Sequence, residues 1–232
     1  MAHYLIIAAS SSIGQSLTKS LILQGDTVFT TARDRSKINP DFLLDASDFD
    51  AVNEVFKLAG NIDGVVNCSG SLLLKSAHLT TKEQYQGVID SSLTTAFAIV
   101  RAAGNFMKDG GSVVLIASAA ALVGLANHEA IAAAKAGIIG LAQSAAASYA
   151  TNHLRFNVVA PGMVDSPLTA QLTGNETLYN VSKAMHALGR IGKPEDIAQA
   201  ILFLLNPQND WITGQVIAID GGLSRVRPKI KI

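Results

Sequence analysis

The feature that most constrains the fold of this chain is a regular alternation of short apolar runs with segments of helical length. Short apolar runs indicate buried strands, and a helix-length segment between two of them is typical of a βαβ unit. A chain built from such units folds into a parallel sheet that is covered by helices on both faces. The pattern therefore predicts a doubly wound α/β domain.

The individual elements follow from the same pattern, and they predict a Rossmann-type domain with a seven-stranded parallel sheet. Predicted strands lie near His3–Ala8, Thr27–Thr31, Phe42–Leu44, Ile62–Asn67, Ser112–Ala117, Arg155–Val159 and Gln215–Ile219. Predicted helices lie near Ile13–Gln24, Asp48–Leu58, Lys82–Met107, Ala126–Ala150 and Pro194–Leu205. The segment Leu168–Leu188 has polar breaks within weak helical patterning, which predicts a mobile lid over a site or, alternatively, an ordinary surface excursion.

Length and composition favour a single domain over residues 1–232. With 49% hydrophobic and 16% charged residues the chain can bury one sizeable core, and no linker-like stretch divides it. The 18 Lys and Arg residues balance the 18 Asp and Glu residues, so no net field attracts nucleic acid or an anionic membrane. We therefore expect a small-molecule substrate as the partner, and neither nucleic acid nor a membrane.

Cysteine and histidine usage narrows the chemistry further. The single cysteine, Cys68, excludes an internal disulfide and a thiolate metal cluster and suits a reducing compartment. The first residues show no signal-peptide pattern, so we expect the protein in the cytoplasm. Four of the five histidines are scattered without ligand spacing, and no metal site is predicted.

A run of small residues joins the first predicted strand to the first predicted helix. The candidate cofactor ligands in this run are Ala9, Ser10, Ser11, Ser12, Ile13 and Gly14. Small side chains let backbone amides at a helix start approach a pyrophosphate, and the helix dipole favours the negative charge. A plain tight connection is the alternative, because only one glycine is present.

The end of the second predicted strand carries a signal for the kind of dinucleotide. Ala32 stands where an acidic residue would pair with a free ribose diol, and Arg33 follows it. Since an arginine suits a 2′-phosphate, we predict that NADP(H) is preferred over NAD(H). The alternative for Arg33 is a solvated surface side chain.

Five ordered segments carry a family resemblance that covers nearly the whole chain. They are Val65–Gly70, Val113–Ser118, Asn157–Ser166, Gly189–Ala198 and Trp211–Gly222. On these segments the chain resembles the classical short-chain dehydrogenase/reductase family, which implies a nicotinamide dinucleotide cofactor. The implied contacts are Asp45 and Ala46 under the adenine, Asn67, Ser69 and Gly70 along the adjacent ribose, and Pro161, Gly162, Val164 and Ser166 at the nicotinamide end.

The resemblance also assigns catalytic groups, with departures. Hydride transfer to a carbonyl needs an acid at the oxygen, a donor that polarises it and a charge that tunes the acid. By resemblance Ser118 is the donor, and Lys135 holds the nicotinamide ribose and lowers the pKa of a tyrosine. That tyrosine is here Ile131, which cannot transfer a proton, and Ser92 replaces an auxiliary asparagine.

The phosphate-binding turn departs from the family as well. Ala8 and Ser12 replace two of the three family glycines. If the Ser12 position requires a φ above zero, the backbone there must strain or shift.

His128 is the candidate substitute acid. It lies three residues before Ile131 and seven before Lys135, so the three side chains share a face if they belong to one helix. Histidine titrates near neutral pH and can supply a proton directly or through a water. The alternative is that His128 simply belongs to the polar first turn of that helix.

Three functions remain open from the sequence. The first is an NADP(H)-dependent oxidoreductase that transfers a hydride between nicotinamide and a small carbonyl or alcohol, with Ser118, Lys135 and either His128 or an ordered water in the altered site. The others are a dinucleotide-binding but silent sensor or partner subunit, and a non-redox enzyme. We predict the first, because a silent protein has no chemical need for the serine and the lysine. Family resemblance and alanine-rich helices further predict a homodimer or homotetramer built on Lys82–Met107 and Ala126–Ala150.

Overall fold

The computed structural model describes residues 1–228, so the last four residues of the predicted domain lie outside the described part. The strands are β1 (His3–Ile7), β2 (Thr27–Ala32), β3 (Phe42–Leu43), β4 (Gly64–Asn67), β5 (Gly111–Ile116), β6 (Leu154–Pro161) and β7 (Val216–Ile219). They form one seven-stranded sheet in the order β3-β2-β1-β4-β5-β6-β7, with every pair parallel. The predicted Rossmann-type sheet is confirmed.

The helices fill the connections between the strands. They are α1 (Ser12–Leu23), α2 (Phe49–Ala59), α3 (Lys82–Ile89), α4 (Thr95–Phe106), α5 (Glu129–Ser148), α6 (Ala170–Thr173), α7 (Glu176–Met185) and α8 (Pro194–Leu205). The bounds of α8 agree with the prediction from sequence, and those of α1 and α2 differ by one residue at each end.

Alternate side chains of the strands point to opposite faces of the sheet, and each face has its own core. Leu5 of β1 belongs to the cluster under α2, α4 and α5, which includes Ile99 and Ile138. Ile6 belongs to the cluster on the other face, with Leu17 of α1 and Ile201 of α8. Because side chains alternate along a strand, the continuous apolar runs in the sequence supply both cores at once.

The predicted helix Lys82–Met107 is wrong as a single α-helix. It consists of α3, a π-helical segment Asp90–Thr94 and then α4. Hydroxyl groups bind main-chain carbonyls in this stretch: the Ser91 side chain donates to Gly87 O at 2.7 Å and the Thr95 side chain donates to Ser92 O at 2.9 Å. Such bonds compete with the regular helical ladder, and π-bulges are frequent at functional sites.

The predicted helix Ala126–Ala150 is also wrong at its start, since α5 begins at Glu129. Asn127 has a φ of 63° in the left-handed region, and its carbonyl accepts a hydrogen bond from Lys75 N at 2.7 Å. The chain therefore turns before the helix. With 20 residues and an apolar composition, α5 is long enough to cross a membrane, but in this fold it packs on β6 and α4.

The segment between β6 and α8 forms an outer layer. A 3₁₀ turn over Pro167–Thr169 is followed by α6 and α7, and none of the residues of these two helices is buried. Leu178, Val181 and Met185 of α7 are all exposed. This placement agrees with a lid, and its mobility stays a prediction.

Candidate active site and cofactor cavity

A cavity of about 750 Å³ opens at the carboxyl ends of the strands, between the loops that follow β1 and β4. The strand order reverses between these two strands, since the chain runs outward from β1 to β3 and then returns to β4 on the other side. Such a switch point is where doubly wound sheets bind ligands. The volume lies in the range of pockets that hold a cofactor or a drug-sized ligand.

The first wall of the cavity is the start of α1. Ser11 caps this helix, with its side chain accepting a hydrogen bond from Gly14 N at 3.1 Å. A Cβ at Gly14 would lie 2.8 Å from Ala9 Cα and 2.9 Å from Ala8 O, so only glycine lets the helix approach the strand end this closely. The free amides and the dipole of α1 can therefore receive a phosphate group.

Backbone strain in this turn lies at Ala8 and not at Ser12. Ala8 has a φ of 56°, whereas Ser12 is the first residue of α1. The condition under which Ser12 would strain the backbone is therefore not met: the turn reverses direction at Ala8, where Ser11 N donates to Ala8 O at 3.0 Å. Alanine in this region costs free energy relative to glycine.

The far end of the cavity, beyond β2, carries two cationic side chains. Arg33 and Lys37 both line it, together with Asp34 and Asp45. Asp34 is turned toward its own loop, where it accepts hydrogen bonds from the backbone and the side chain of Ser36, which lower the pKa of the carboxyl. Neither cation forms a salt bridge among the described residues, so both can contact an anionic ligand group.

Asp45 lines the same end. Its carboxylate accepts hydrogen bonds from Ser47 N at 3.0 Å and from the Ser47 side chain at 2.7 Å. These bonds, together with the charge of Arg33, hold the pKa of Asp45 below its usual range. Ala46, buried beside it, lines the cavity as well. Asp45 therefore stays ionised, and its two hydrogen bonds from Ser47 hold the loop in this conformation.

A hydroxyl network lies in the middle of the cavity, after β4. Asn67 Oδ1 accepts from Ser69 N at 3.0 Å and from Ser69 Oγ at 2.6 Å, and Ser69 Oγ lies 2.8 Å from Thr95 Oγ1. Asn67 is itself buried and does not line the cavity, so its effect is to fix Ser69.

Lys135 is the buried cation of the site. Its side chain is only 6% exposed, and Nζ donates to Ile116 O at 2.9 Å. A Cβ at Gly70 would lie 3.2 Å from Nζ, so the glycine leaves the ammonium room at the cavity wall. Burial lowers the pKa of Lys135 to about 8.

Cys68 is a cavity residue that the sequence alone did not identify as part of the site. It lines the cavity at the end of β4, and burial raises the pKa of its thiol to about 12. The thiol therefore remains protonated at neutral pH and provides no counter-charge for Lys135.

Ser118 and Ile131 line the inner end of the cavity. The Ser118 side chain accepts from Ala120 N at 3.2 Å, which orients the hydroxyl. Ile131 is 3% exposed and belongs to a small apolar cluster with Val88, Ala130 and Ala134. The position that resemblance assigns to a tyrosine is thus filled by a packed apolar side chain.

His128 does not line the cavity. It precedes the first residue of α5, and its Nδ1 lies 2.7 Å from Ala126 O. His128 is the N-cap of α5, and its carbonyl accepts from Ala132 N at 2.7 Å, which agrees with the alternative that it belongs to the polar start of the helix. Ser92 is buried in the π-helical segment, and its side-chain oxygen has no hydrogen-bond partner among the described residues.

The segment after β6 closes the nicotinamide end predicted by resemblance. Pro161, Gly162, Val164 and Ser166 all line the cavity. Gly162 N donates to Ile219 O at 3.1 Å, and Val164 forms an isolated parallel bridge with Gly192. The segment is therefore held on the sheet rather than free.

Most predicted cofactor residues meet at this one cavity. Those that line it are Ser10, Ser11, Ser12, Ile13, Arg33, Asp45, Ala46, Ser69, Gly70, Lys135, Pro161, Gly162, Val164 and Ser166. Ala9, Gly14 and Asn67 do not: Ala9 is 2% exposed in the core, and the other two act by packing and positioning. Lys37 was missed, although a further basic residue four positions after Arg33 is a usable signal.

Comparisons with known proteins agree with this geometry. A family model described as enoyl-(acyl carrier protein) reductase matches residues 7–224. The 3-oxoacyl-[acyl-carrier-protein] reductase FabG of Thermotoga maritima is 34% identical, over 94% of this chain and 96% of the relative.

Solved structures show the same likeness. A short-chain type dehydrogenase/reductase from Mycobacterium ulcerans superposes with a TM-score of 0.91 at 25% identity, covering 98% of this chain and 91% of that one. The NADP-bound structure of ElxO superposes with a TM-score of 0.88 at 26% identity, covering 96% of this chain and 99% of that one.

Proposed function

The chain belongs to the short-chain dehydrogenase/reductase family, and from this premise we propose that it is an NADP(H)-dependent oxidoreductase with an altered proton-donor site. Its substrate in this proposal is a small carbonyl compound or the corresponding alcohol. The observation that carries the proposal is that Ser118 and Lys135 line the same end of the cavity as the segment Pro161–Ser166. We further propose that it acts in the cytoplasm.

The residues of the cavity fit a dinucleotide phosphate. The start of α1 offers backbone amides for a pyrophosphate, and Gly14 and Gly70 keep space that a Cβ would fill. Arg33 and Lys37 lie where a 2′-phosphate of the adenosine would need cations. Because Ala32 offers no carboxylate to a ribose diol, this end supports NADP(H) over NAD(H).

When bound, a nicotinamide cofactor supplies or accepts the hydride. Ser118 Oγ, oriented by its bond from Ala120 N, donates a hydrogen bond to the carbonyl oxygen of the substrate and polarises it. Lys135 holds a positive charge at the same end of the cavity. This charge stabilises the alkoxide that forms when the carbonyl is reduced.

The missing phenol leaves the proton transfer to another group. His128 is outside the cavity lining, so we place the proton donor at Lys135, acting directly or through a water. A pKa of about 8 leaves the ammonium mostly charged at pH 7 but able to release a proton. The amine that remains is neutral and recovers a proton from solvent.

The second candidate function is that of a cofactor-binding subunit without catalysis. One observation favours it: Ile131 occupies the phenol position and packs in an apolar cluster with Val88 and Ala134, so this position supplies no acid. Under this alternative Lys135 serves ribose binding alone.

NADPH oxidation by a panel of ketones, aldehydes and 3-oxoacyl thioesters separates the two functions. We expect slow turnover by the wild type and an increase of about 10²–10⁴-fold in Ile131→Tyr, because Lys135 lies one helical turn away to lower the pKa of the new phenol. Ile131→Phe is the matched control, since it adds the ring without the hydroxyl. If the wild type and Ile131→Tyr are both inert while NADPH binds, the silent function replaces the oxidoreductase.

We also propose a homodimer or homotetramer built on α4 and α5. The outer face of α5 exposes Ala133, Ala136 and Gly140. On α4, Phe97 is 49% exposed, and its ring stacks on that of Phe49 with the ring centroids 5.8 Å apart. A smooth face of small residues lets helices of two copies approach closely.

A further inference from the structure

His186 is a buried histidine outside the cofactor cavity. None of the residues of α7 is buried, yet the residue that caps its carboxyl end, His186, is only 3% exposed. A polar ring that is withdrawn from water must find hydrogen-bond partners within the protein.

The partners of His186 define the state of its ring. Met163 N, a backbone donor, lies 3.1 Å from Nε2, so Nε2 must accept and carries no proton. Nδ1 lies 2.6 Å from Ser182 O, a carbonyl that can only accept, so Nδ1 carries the proton. Both bonds form together only in the neutral ring with its proton on Nδ1.

The ring is fitted against the cofactor segment. A Cβ at Gly162 would lie 2.6 Å from His186 Nε2 and 3.0 Å from Asp220 Cα, so the ring occupies the space left by the glycine. Gly162 also lines the cofactor cavity. His186 therefore supports the cavity wall from behind.

Nearby charged groups are occupied elsewhere. Asp220 accepts from Gly222 N and Ser224 N, each at 2.9 Å. Arg190 and Asp196, which border a small cavity of about 160 Å³ beside the ring, are paired with each other. The hydrogen bonds of His186 thus go to the backbone, which favours a mechanical role over a chemical one.

Both ends of the outer segment 167–185 are fastened to consecutive residues. At its start, Thr169 Oγ1 donates to Val164 O at 2.6 Å. Just beyond its end, His186 accepts from Met163 N. Between these points no residue of α6 or α7 is buried, so these two hydrogen bonds are polar links that attach the outer segment to residues 163 and 164.

We infer that His186 is a positioning residue that fastens the outer segment 167–185 to the cavity wall formed by Gly162 and Val164. The neutral ring links the end of α7 to Met163, so that movement of the outer segment and the position of this wall are coupled. The expected effect on cofactor binding rests on the proposed function, whereas the attachment of the outer segment by His186 does not.

Limited proteolysis within residues 167–185, without cofactor, tests the fastening, and calorimetry with NADPH tests the coupling. His186→Leu removes both hydrogen bonds, and we expect roughly three- to tenfold faster cleavage and a similarly weaker NADPH affinity. His186→Gln keeps one hydrogen-bond acceptor and one donor in its side-chain amide. The cleavage rate and the NADPH affinity of this variant should therefore lie within about twofold of the wild-type values. His78→Leu, at an exposed histidine, is the control for loss of a ring.

The outcomes are separable. Cleavage of His186→Leu at the wild-type rate, or equal damage by glutamine and leucine, overturns the inference. If the wild type fails to bind NADPH, the proposed function fails, and the cleavage rates still decide whether His186 fastens the segment. If His186→Leu does not fold, His186→Asn, which is too short to reach both partners, takes its place in the same comparison.

Discussion

Replacing Ala8 by glycine is expected to stabilise the protein, which is the reverse of the usual effect of glycine. Ala8 has a φ of 56°, in the left-handed region where a Cβ crowds the backbone. Its carbonyl accepts from Ser11 N and its own N–H donates to the Thr31 side chain at 3.1 Å, so the turn cannot relax without losing hydrogen bonds. The strain is therefore retained in the folded state.

The magnitude follows from three opposing contributions. Relief of the left-handed strain of alanine contributes about 1–2 kcal/mol. The greater freedom of glycine in the unfolded chain costs about 0.4–1 kcal/mol, and loss of a half-buried methyl group costs roughly 0.4 kcal/mol. The net gain is about 0.5 kcal/mol, which corresponds to a rise of roughly 1–2 °C in Tm for a chain of this size.

The neighbouring Ala9 provides a matched control. Its φ is not positive, and its methyl group is 2% exposed in the core. Ala9→Gly should therefore lose about 1–2 kcal/mol, through the buried methyl group and the added chain freedom. Urea unfolding measures the free energy of unfolding of the two variants and the wild type, provided that its dependence on urea concentration is the same in all three. Equal destabilisation by Ala8→Gly and Ala9→Gly would refute the argument that Ala8 is strained.

Three further predictions concern the cofactor, the proton and the assembly. Arg33→Ala should weaken NADPH binding about tenfold in calorimetry and leave the NADH affinity within about twofold of the wild type. Arg35→Ala, outside the cavity lining, should change neither affinity. Unchanged NADPH affinity in Arg33→Ala would contradict the preference for NADP(H). In steady-state assays of carbonyl reduction, kcat/KM should fall as pH rises through about 8, because the acid Lys135 is then deprotonated, and a flat profile to pH 9 would exclude it as the donor. Ala136→Glu on the exposed face of α5 should convert the proposed oligomer to monomers in light scattering, and a wild type that is already monomeric would exclude the interface.

The sheet and its helices could be predicted because an apolar run reports burial directly. Errors arose where polar side chains bind the backbone: hydroxyl groups of Ser91 and Thr95 accompany the π-helical segment, and a positive φ at Asn127 delays the start of α5. Neither is visible as a change in hydrophobic periodicity. Both depend on which carbonyl each side chain or loop finds in the folded chain.

Site residues could be predicted from the sequence where the residue type alone indicates the role. Arg33 and Ser118 line the cavity as expected, because a cation or hydroxyl just after a strand lies at the carboxyl edge of the sheet, and Lys135 of α5 lines it as the resemblance implied. The strain at Ala8 and the fastening by His186 could not be predicted. Each depends on a backbone angle or on a distance between elements that are far apart in the sequence.

The buried ammonium of Lys135 yields a last prediction, on stability. Within residues 1–228 its Nζ has one hydrogen bond, to Ile116 O, and Cys68 beside it stays neutral. Burial lowers the lysine pKa from 10.5 to about 8 in the folded state, so the unfolded chain binds more protons between these values. The stability contribution of this lysine therefore rises with pH above about 8, and at pH 7 its charge costs on the order of 3 kcal/mol.

Lys135→Met should accordingly stabilise the cofactor-free protein at pH 7, by up to about 3 kcal/mol in urea unfolding. Methionine fills the space of the lysine side chain without a charge. The advantage over the wild type should shrink by roughly 1 kcal/mol between pH 8 and pH 9. Above pH 9 the raised pKa of Cys68 acts in the opposite direction in both proteins, so the comparison ends there. If the variant is less stable than the wild type at pH 7, the ammonium contributes to the fold itself. If it is more stable, the fold has no need of the charge, and the reason for a lysine at this position lies in the ligand or the proton that it serves.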